Sequence, residues 1–105
     1  MAEPLHFLFR LLPPRATFAH DMTSAEAEIM QRHVLYWTGK MQEGAVLLFG
    51  PVADPNGAWG LGIIRGANLA EAEALRDGDP AIAANIGFDC ELLPMPKVVT
   101  PGAKP

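Results

Sequence analysis

The sequence contains a single cysteine, no long apolar run and no cluster of basic residues. One cysteine cannot form an internal disulfide, and no Cys/His cluster has zinc spacing, so we expect neither a disulfide framework nor a metal site. The acidic neighbours Asp89 and Glu91 are expected to raise the pKa of the Cys90 thiol, which makes it a poor nucleophile. No stretch is long enough to span a bilayer and no signal-peptide cleavage site is present, so we expect a cytoplasmic protein.

The charge balance argues against two classes of partner. Eight Lys and Arg residues are scattered among twelve Asp and Glu residues, and the formal net charge is −4. Nucleic acids and anionic membranes are bound by clustered Lys and Arg, so we expect no nucleic acid and no membrane partner. Half of the 105 residues are hydrophobic, which is typical of a globular protein of one domain. We expect that domain to span residues 1–97, followed by a loose tail over 98–105.

Hydrophobic periodicity and turn signals predict six main elements. Thr23 and Glu26 have the spacing of a capping box at the start of a helix, and the turn at residues 54–57 joins two strands as a hairpin. Asp79-Pro80 predicts a further short helical turn, and residues 15–22 are expected to form an irregular loop. The predicted elements are a strand over 5–12, a helix over 23–43, strands over 45–49 and 59–65, a helix over 68–76 and a strand over 87–95.

The order β-α-β-β-α-β is typical of the α+β ferredoxin-like sandwich, a four-stranded antiparallel sheet with two helices on one face. Alternation in the first strand places Phe7 and Phe9 on one face and Leu8 and Leu12 on the other. The second face has no predicted helix to cover it. We therefore expect a homodimer in which a second copy buries these leucines.

His33 is the first candidate for chemistry. It lies within the apolar stripe predicted for the first helix, which consists of Ile29, Met30, Val34, Trp37 and Met41. One interpretation is a packed structural ring, and the other is an acid/base that needs a carboxylate to fix its tautomer. Asp79 is a candidate for that carboxylate and equally for a helix cap. Both roles can coexist, because a carboxylate has two oxygens.

His6 and Arg10 share the face of the first strand that lies opposite the helices. The planar guanidinium of Arg10 suits an anionic substrate, and the alternative is an exposed edge or an ion pair at a dimer interface. The glycines at 57, 60 and 62 do not precede a helix and form no dinucleotide fingerprint. They are interpreted as turn and strand glycines that give a ligand room near the backbone.

An ordered set of short motifs resembles the YciI-like, or YCII-related, family. The motifs are QRHVLYW at 31–37, EG at 43–44, LFGP at 48–51, DP at 79–80 and PM at 94–95, and the match spans about residues 5–96. The resemblance implies a dimeric ferredoxin-like α+β barrel with an active site at His33 and Asp79. Many members have Ser or Thr after the glycine of the third strand, whereas this chain has WGLG at 59–62.

These features predict a small cofactor-free enzyme of lyase, isomerase, dehalogenase or hydrolase type. His33 would be the general acid/base, Asp79 would orient it, and Arg10 or His6 would hold a small polar or acidic molecule near the subunit interface. The alternatives are a non-catalytic module that binds a small molecule or a partner domain, and a stress-related accessory protein without a ligand. An enzyme requires the His33 ring to reach Asp79 and to open to a cavity.

Overall fold

The computed structural model describes residues 4–101, which form one four-stranded sheet with helices packed on one face. The elements in chain order are β1 (Leu5–Leu12), α1 (Phe18–Asp21), α2 (Ser24–Gln42), β2 (Val46–Val52), β3 (Trp59–Gly66), α3 (Leu69–Asp77), α4 (Pro80–Ala83) and β4 (Asp89–Met95). Neighbouring strands in the order β2-β3-β1-β4 are all antiparallel. The predicted ferredoxin-like fold is confirmed. The ends of the predicted domain and tail, residues 1–3 and 102–105, lie outside the described residues.

The hydrophobic core lies between the helices and one face of the sheet. The side chains of Phe7, Phe9 and Leu11 on β1 are buried there, as the alternation predicts. They pack with Trp37 of α2 and Ile64 of β3. Ala72 of α3 and Ala81 of α4 complete the cluster, and both are fully buried.

The predicted capping box begins α2. The Thr23 hydroxyl accepts a hydrogen bond from the Glu26 backbone N–H at 3.1 Å, and the Glu26 carboxylate accepts one from the Thr23 backbone N–H at 2.9 Å. The Arg15 guanidinium also donates to this carboxylate, and this pairing lowers the pKa of Glu26 to about 2. The first turn of α2 is thus tied to the segment that precedes it.

The prediction of an irregular loop over residues 15–22 is wrong in part, because Phe18–Asp21 forms the helical turn α1. Phe18 is buried, and its ring packs edge-on against Phe88 with 5.0 Å between the ring centroids. Phe88 is distant in sequence. The contact that orders this turn is therefore absent from the local pattern.

The inner face of α2 is rotated relative to the predicted apolar stripe. Trp37 and Tyr36 face the core, and the Tyr36 hydroxyl donates to the Leu75 carbonyl at 2.7 Å. Val34 and Met41, which the prediction placed in the stripe, are 49% and 40% exposed. Ile29, Met30 and Trp37 do pack on the core, so the predicted stripe is confirmed in part.

Two strands differ from the prediction at their ends. β2 continues through Pro51 to Val52 instead of stopping at residue 49. β2 is an edge strand, and an edge strand tolerates a proline because one row of its N–H groups has no ladder partner. β4 begins at Asp89 instead of residue 87, because Gly87 has a φ of 105°, outside the β region.

The sheet face without helices carries a continuous row of aliphatic side chains. Leu48 of β2 lies opposite Ile63 of β3, Ile63 opposite Leu8 of β1, and Leu8 opposite Leu93 of β4. We call these four residues the aliphatic row. Leu48 and Leu93, at its two ends, are each 48% exposed. Within residues 4–101 no helix covers this face.

Candidate functional site

A buried carboxylate, Asp79, forms the centre of the candidate site. It is fully buried and caps α4, with Oδ1 accepting a hydrogen bond from the Ala81 backbone N–H at 2.9 Å. Its Oδ2 accepts the indole N–H of Trp37 at 2.8 Å. His33 Nδ1 lies 2.9 Å from each of the two oxygens. The cap and the histidine partner, which the sequence left as two interpretations, are both present.

This hydrogen-bond pattern fixes the tautomer of the His33 ring. An ionised carboxylate only accepts hydrogen bonds, so His33 Nδ1 carries the proton and donates it to Asp79. In the neutral form of the ring, the lone pair is then on Nε2. Among residues 4–101 this nitrogen has no hydrogen-bond partner, and it is not fully buried. The His33 side chain is 12% exposed and lines a cavity.

Trp37 is a site residue that sequence reasoning assigned only to the core. It follows His33 by one helical turn on α2, so both side chains project to the same side and reach the same carboxylate. The indole is held by Phe9 and Tyr36, with ring centroids at 5.3 and 5.1 Å. The i, i+4 spacing of His33 and Trp37 was the available signal.

The cavity has a volume of about 240 Å³ and lies between α2 and the β2–β3 side of the sheet. Its walls are almost entirely apolar and include the rings of Phe9, Phe49 and Phe88. Gly60 and Gly62 of β3 also line it, as expected for strand glycines that leave room near the backbone. Among the described residues, His33 is the only titratable group in its lining.

Arg10 lies on the opposite face of the sheet from His33 and does not line this cavity. Its guanidinium donates to Glu91 at 2.7 Å and lies 4.3 Å from the centre of the Trp59 ring. Its Nε is buried without a hydrogen-bond partner in the described part of the chain. Arg10 and Trp59 line a second cavity of about 260 Å³ together with Asp54.

His6 occupies the same face as Arg10, opposite Arg65 and Met95 in the sheet register. It lines neither cavity. A single chain therefore brings together His33 and Asp79 but does not place His6 or Arg10 beside them. A substrate in the cavity beside His33 could contact His6 or Arg10 only if another subunit supplied them.

The Cys90 thiol has its pKa raised, in the predicted direction but for a different main reason. Burial is the largest cause, and Asp89 adds to it while Arg76 acts in the opposite sense. Cys90 lies opposite Leu11 on the helix-facing side of the sheet. The raised pKa keeps the thiol protonated near neutral pH, which disfavours a nucleophilic role.

The described residues contain neither a metal-ligand cluster nor a membrane-spanning helix. Within residues 4–101 no three His, Cys, Asp or Glu side chains lie close enough together to hold a metal ion. The same part of the chain contains no helix with the length and apolar character needed to cross a membrane.

Comparison with known proteins identifies a family for this chain. A family model described as the YCII-related domain matches residues 12–96, which is most of the chain. A search of curated proteins finds no match. The matched segment contains α2, β2, β3 and α4, and therefore His33, Asp79 and the cavity glycines.

Proposed function

This chain belongs to the family of YCII-related domains, and we propose that it is a small enzyme in which His33 acts as a general acid–base. One observation carries the proposal. The Nδ1 of His33 is bound by a buried carboxylate, its Nε2 has no hydrogen-bond partner among residues 4–101, and the side chain lines an apolar cavity. A base needs a free lone pair directed at its substrate, and a second group that fixes its tautomer.

The proposed step is a proton transfer at Nε2. The lone pair takes a proton from an acidic C–H or O–H of the bound molecule, and the resulting imidazolium is stabilised by Asp79 through Nδ1. The same proton is then returned to another atom, which gives an isomerisation, or it remains while a leaving group departs, which gives an elimination. Asp79 acts through His33 and is a positioning residue, because its buried carboxylate does not line the cavity.

The cavity walls favour a largely apolar substrate with one polar group. Within the described residues no Lys or Arg lines the cavity, so nothing there pairs with an acidic substrate. The sequence analysis expected a small polar or acidic substrate held by Arg10 or His6. Because neither residue lines this cavity, we limit the proposed substrate to a largely apolar molecule. The single polar group of the substrate would lie near His33 Nε2.

The test is deuterium exchange into the α-positions of cyclohexanone in D2O, followed by proton NMR. A general base adds about 10²–10⁴-fold to a proton transfer, so the wild type should exceed His33→Gln by roughly that factor. His6→Gln is the matched control, because it makes the same change on the opposite face of the sheet, and it should retain full activity. Equal exchange by wild type and His33→Gln would refute the proposed role.

A binding module without catalysis is the second candidate, and the apolar character of the cavity favours it. An apolar cavity can retain a small molecule without any proton transfer. If cyclohexanone shifts the amide signals of cavity residues equally in wild type and His33→Gln, and neither exchanges deuterium, this second function replaces the first.

We also propose that a second copy of the chain covers the aliphatic row. The row crosses all four strands, and burying exposed leucines in a symmetric pair gives a stable assembly without a further partner. Sedimentation equilibrium should give a dimer for the wild type and a monomer for Leu93→Lys. Val99→Lys is the control, because Val99 is exposed outside the sheet. A wild type that is monomeric at 100 μM would overturn this proposal. The free energy of association would then be weaker than about −5.5 kcal/mol.

A further inference from the structure

Gly62 lies at a point of the sheet where its neighbours have large side chains. On the helix-facing side it is opposite Phe49 of β2 and Phe9 of β1, so the row reads Phe–Gly–Phe across three strands. All three residues line the apolar cavity. The missing side chain therefore leaves a gap between two phenyl rings, and this gap is part of the cavity.

The backbone does not require glycine at this position. A Cβ on Gly62 would lie 3.8 Å from Phe49 Cβ and 3.8 Å from Phe9 Cδ1, which is ordinary van der Waals contact, and the φ of Gly62 is not in the left-handed region. At Gly60 a Cβ would meet Leu11 Cβ at a tighter 3.3 Å. Glycine inside a strand lowers stability relative to residues with a side chain. The conformation of the chain thus gives no reason for glycine at 62.

We propose that Gly62 determines the size of the molecule that the cavity admits. Any side chain there would extend between the two phenylalanines into the space into which His33 also opens. The absence of a side chain makes this cavity deep enough for a substrate with a bulky apolar group. The inference rests on the proposed function only for the statement that the bound molecule is also the one that reacts.

The experiment uses three ketones that differ only in their 4-substituent: cyclohexanone, 4-tert-butylcyclohexanone and 4-phenylcyclohexanone. Their Kd values are measured by amide NMR titration for wild type, Gly62→Ala and Gly62→Val. We expect Gly62→Val to keep the Kd of cyclohexanone within threefold and to weaken binding of 4-phenylcyclohexanone tenfold or more. Gly62→Ala should lie between wild type and Gly62→Val. Gly39→Ala is the control, because a Cβ there meets nothing within 4 Å and Gly39 does not line the cavity.

Unfolding is excluded as an explanation by measuring Tm, which should not fall in Gly62→Ala, because alanine suits a strand better than glycine does. Equal Kd values for 4-phenylcyclohexanone in wild type and Gly62→Val would overturn the inference, and so would a wild type that binds none of the three ketones. The Kd values do not depend on proton transfer. Size selection without deuterium exchange would therefore support the role of Gly62 and refute only the catalytic function.

Discussion

The buried group of Asp79, His33 and Trp37 makes a quantitative prediction for Asp79→Asn. The asparagine carbonyl can still accept the Ala81 N–H, so α4 keeps its cap. The amide NH2 then replaces Oδ2 and meets the indole N–H of Trp37, which now faces a donor. Leaving a buried donor unpaired costs about 1–3 kcal/mol, so the free energy of unfolding should fall by about that amount.

A double-mutant cycle tests whether the indole is the cause. Trp37→Phe removes the donor, at a cost of about 1.5–3 kcal/mol for a hydrogen bond to a charged group, in addition to lost packing. In this background Asp79→Asn leaves no indole unpaired, so its cost should shrink. We expect a coupling energy of about 1–2 kcal/mol, measured by urea unfolding of the wild type, both single variants and the double variant. Additive effects, within about 0.5 kcal/mol, would contradict this account of the group.

The same substitution should exchange the tautomer of His33. With a side-chain amide in place of the carboxylate, the new NH2 group can donate to Nδ1, and the ring proton then moves to Nε2, the atom that we propose as the base. The ring ¹⁵N chemical shifts report the tautomer directly, with His6 and His20 as internal references. If a folded Asp79→Asn variant shows this change of tautomer and also loses deuterium exchange, Asp79 has a positioning role. A wild-type ring protonated on Nε2 would disprove the mechanism.

Three further predictions concern groups outside the site. Because the pKa of Glu26 is lowered from 4.5 to about 2, mainly by its hydrogen bond with Arg15, the pair stabilises the fold above pH 4.5, and this contribution is lost as the pH falls towards 2. Between pH 4.5 and 2, the urea midpoint of Glu26→Gln should therefore vary less than that of the wild type. The same pH dependence in both proteins would contradict this prediction. Cys90, with its raised pKa, should react with iodoacetamide more slowly than glutathione at pH 7.5, as followed by mass spectrometry, and an equal rate would contradict it. Gly57→Ala should cost about 1–3 kcal/mol in urea unfolding, because φ is +127° and a facing carbonyl lies 3.0 Å from the new Cβ, whereas Gly39→Ala should not destabilise the protein.

Local signals in the sequence were sufficient for most of the fold. The alternation in β1 and the capping box at Thr23 each depend on residues within a few positions of one another, and the structure contains both. The helical turn α1 could not be predicted in this way. It depends on burial of Phe18 against Phe88, and a contact over that separation leaves no periodic pattern.

The candidate site was less accessible to sequence reasoning, for a geometric reason. Alternation correctly placed Arg10 on the face away from the helices. The prediction that Arg10 and His33 bind one substrate, however, required a second chain to supply one of the two residues. Within one chain Arg10 pairs with Glu91 instead. The strand glycines at 60 and 62 did indicate room for a ligand, and the cavity arises where β3 lacks side chains opposite Phe9 and Leu11. The apolar character of its walls was not predicted, because the sequence does not show which side chains will surround a gap.

The structural and functional interpretations of Asp79 are linked because one carboxylate serves both. It caps α4 through Ala81 and orients His33 with its remaining capacity, so a substitution there changes stability and activity together. A loss of activity in an Asp79 variant is therefore ambiguous by itself. His33 has no such double role, because its Nδ1 only donates to Asp79 and its Nε2 has no partner in the described chain. His33→Gln can still donate one hydrogen bond to the carboxylate but offers no basic nitrogen to the cavity, and for this reason it is the substitution that separates catalysis from folding.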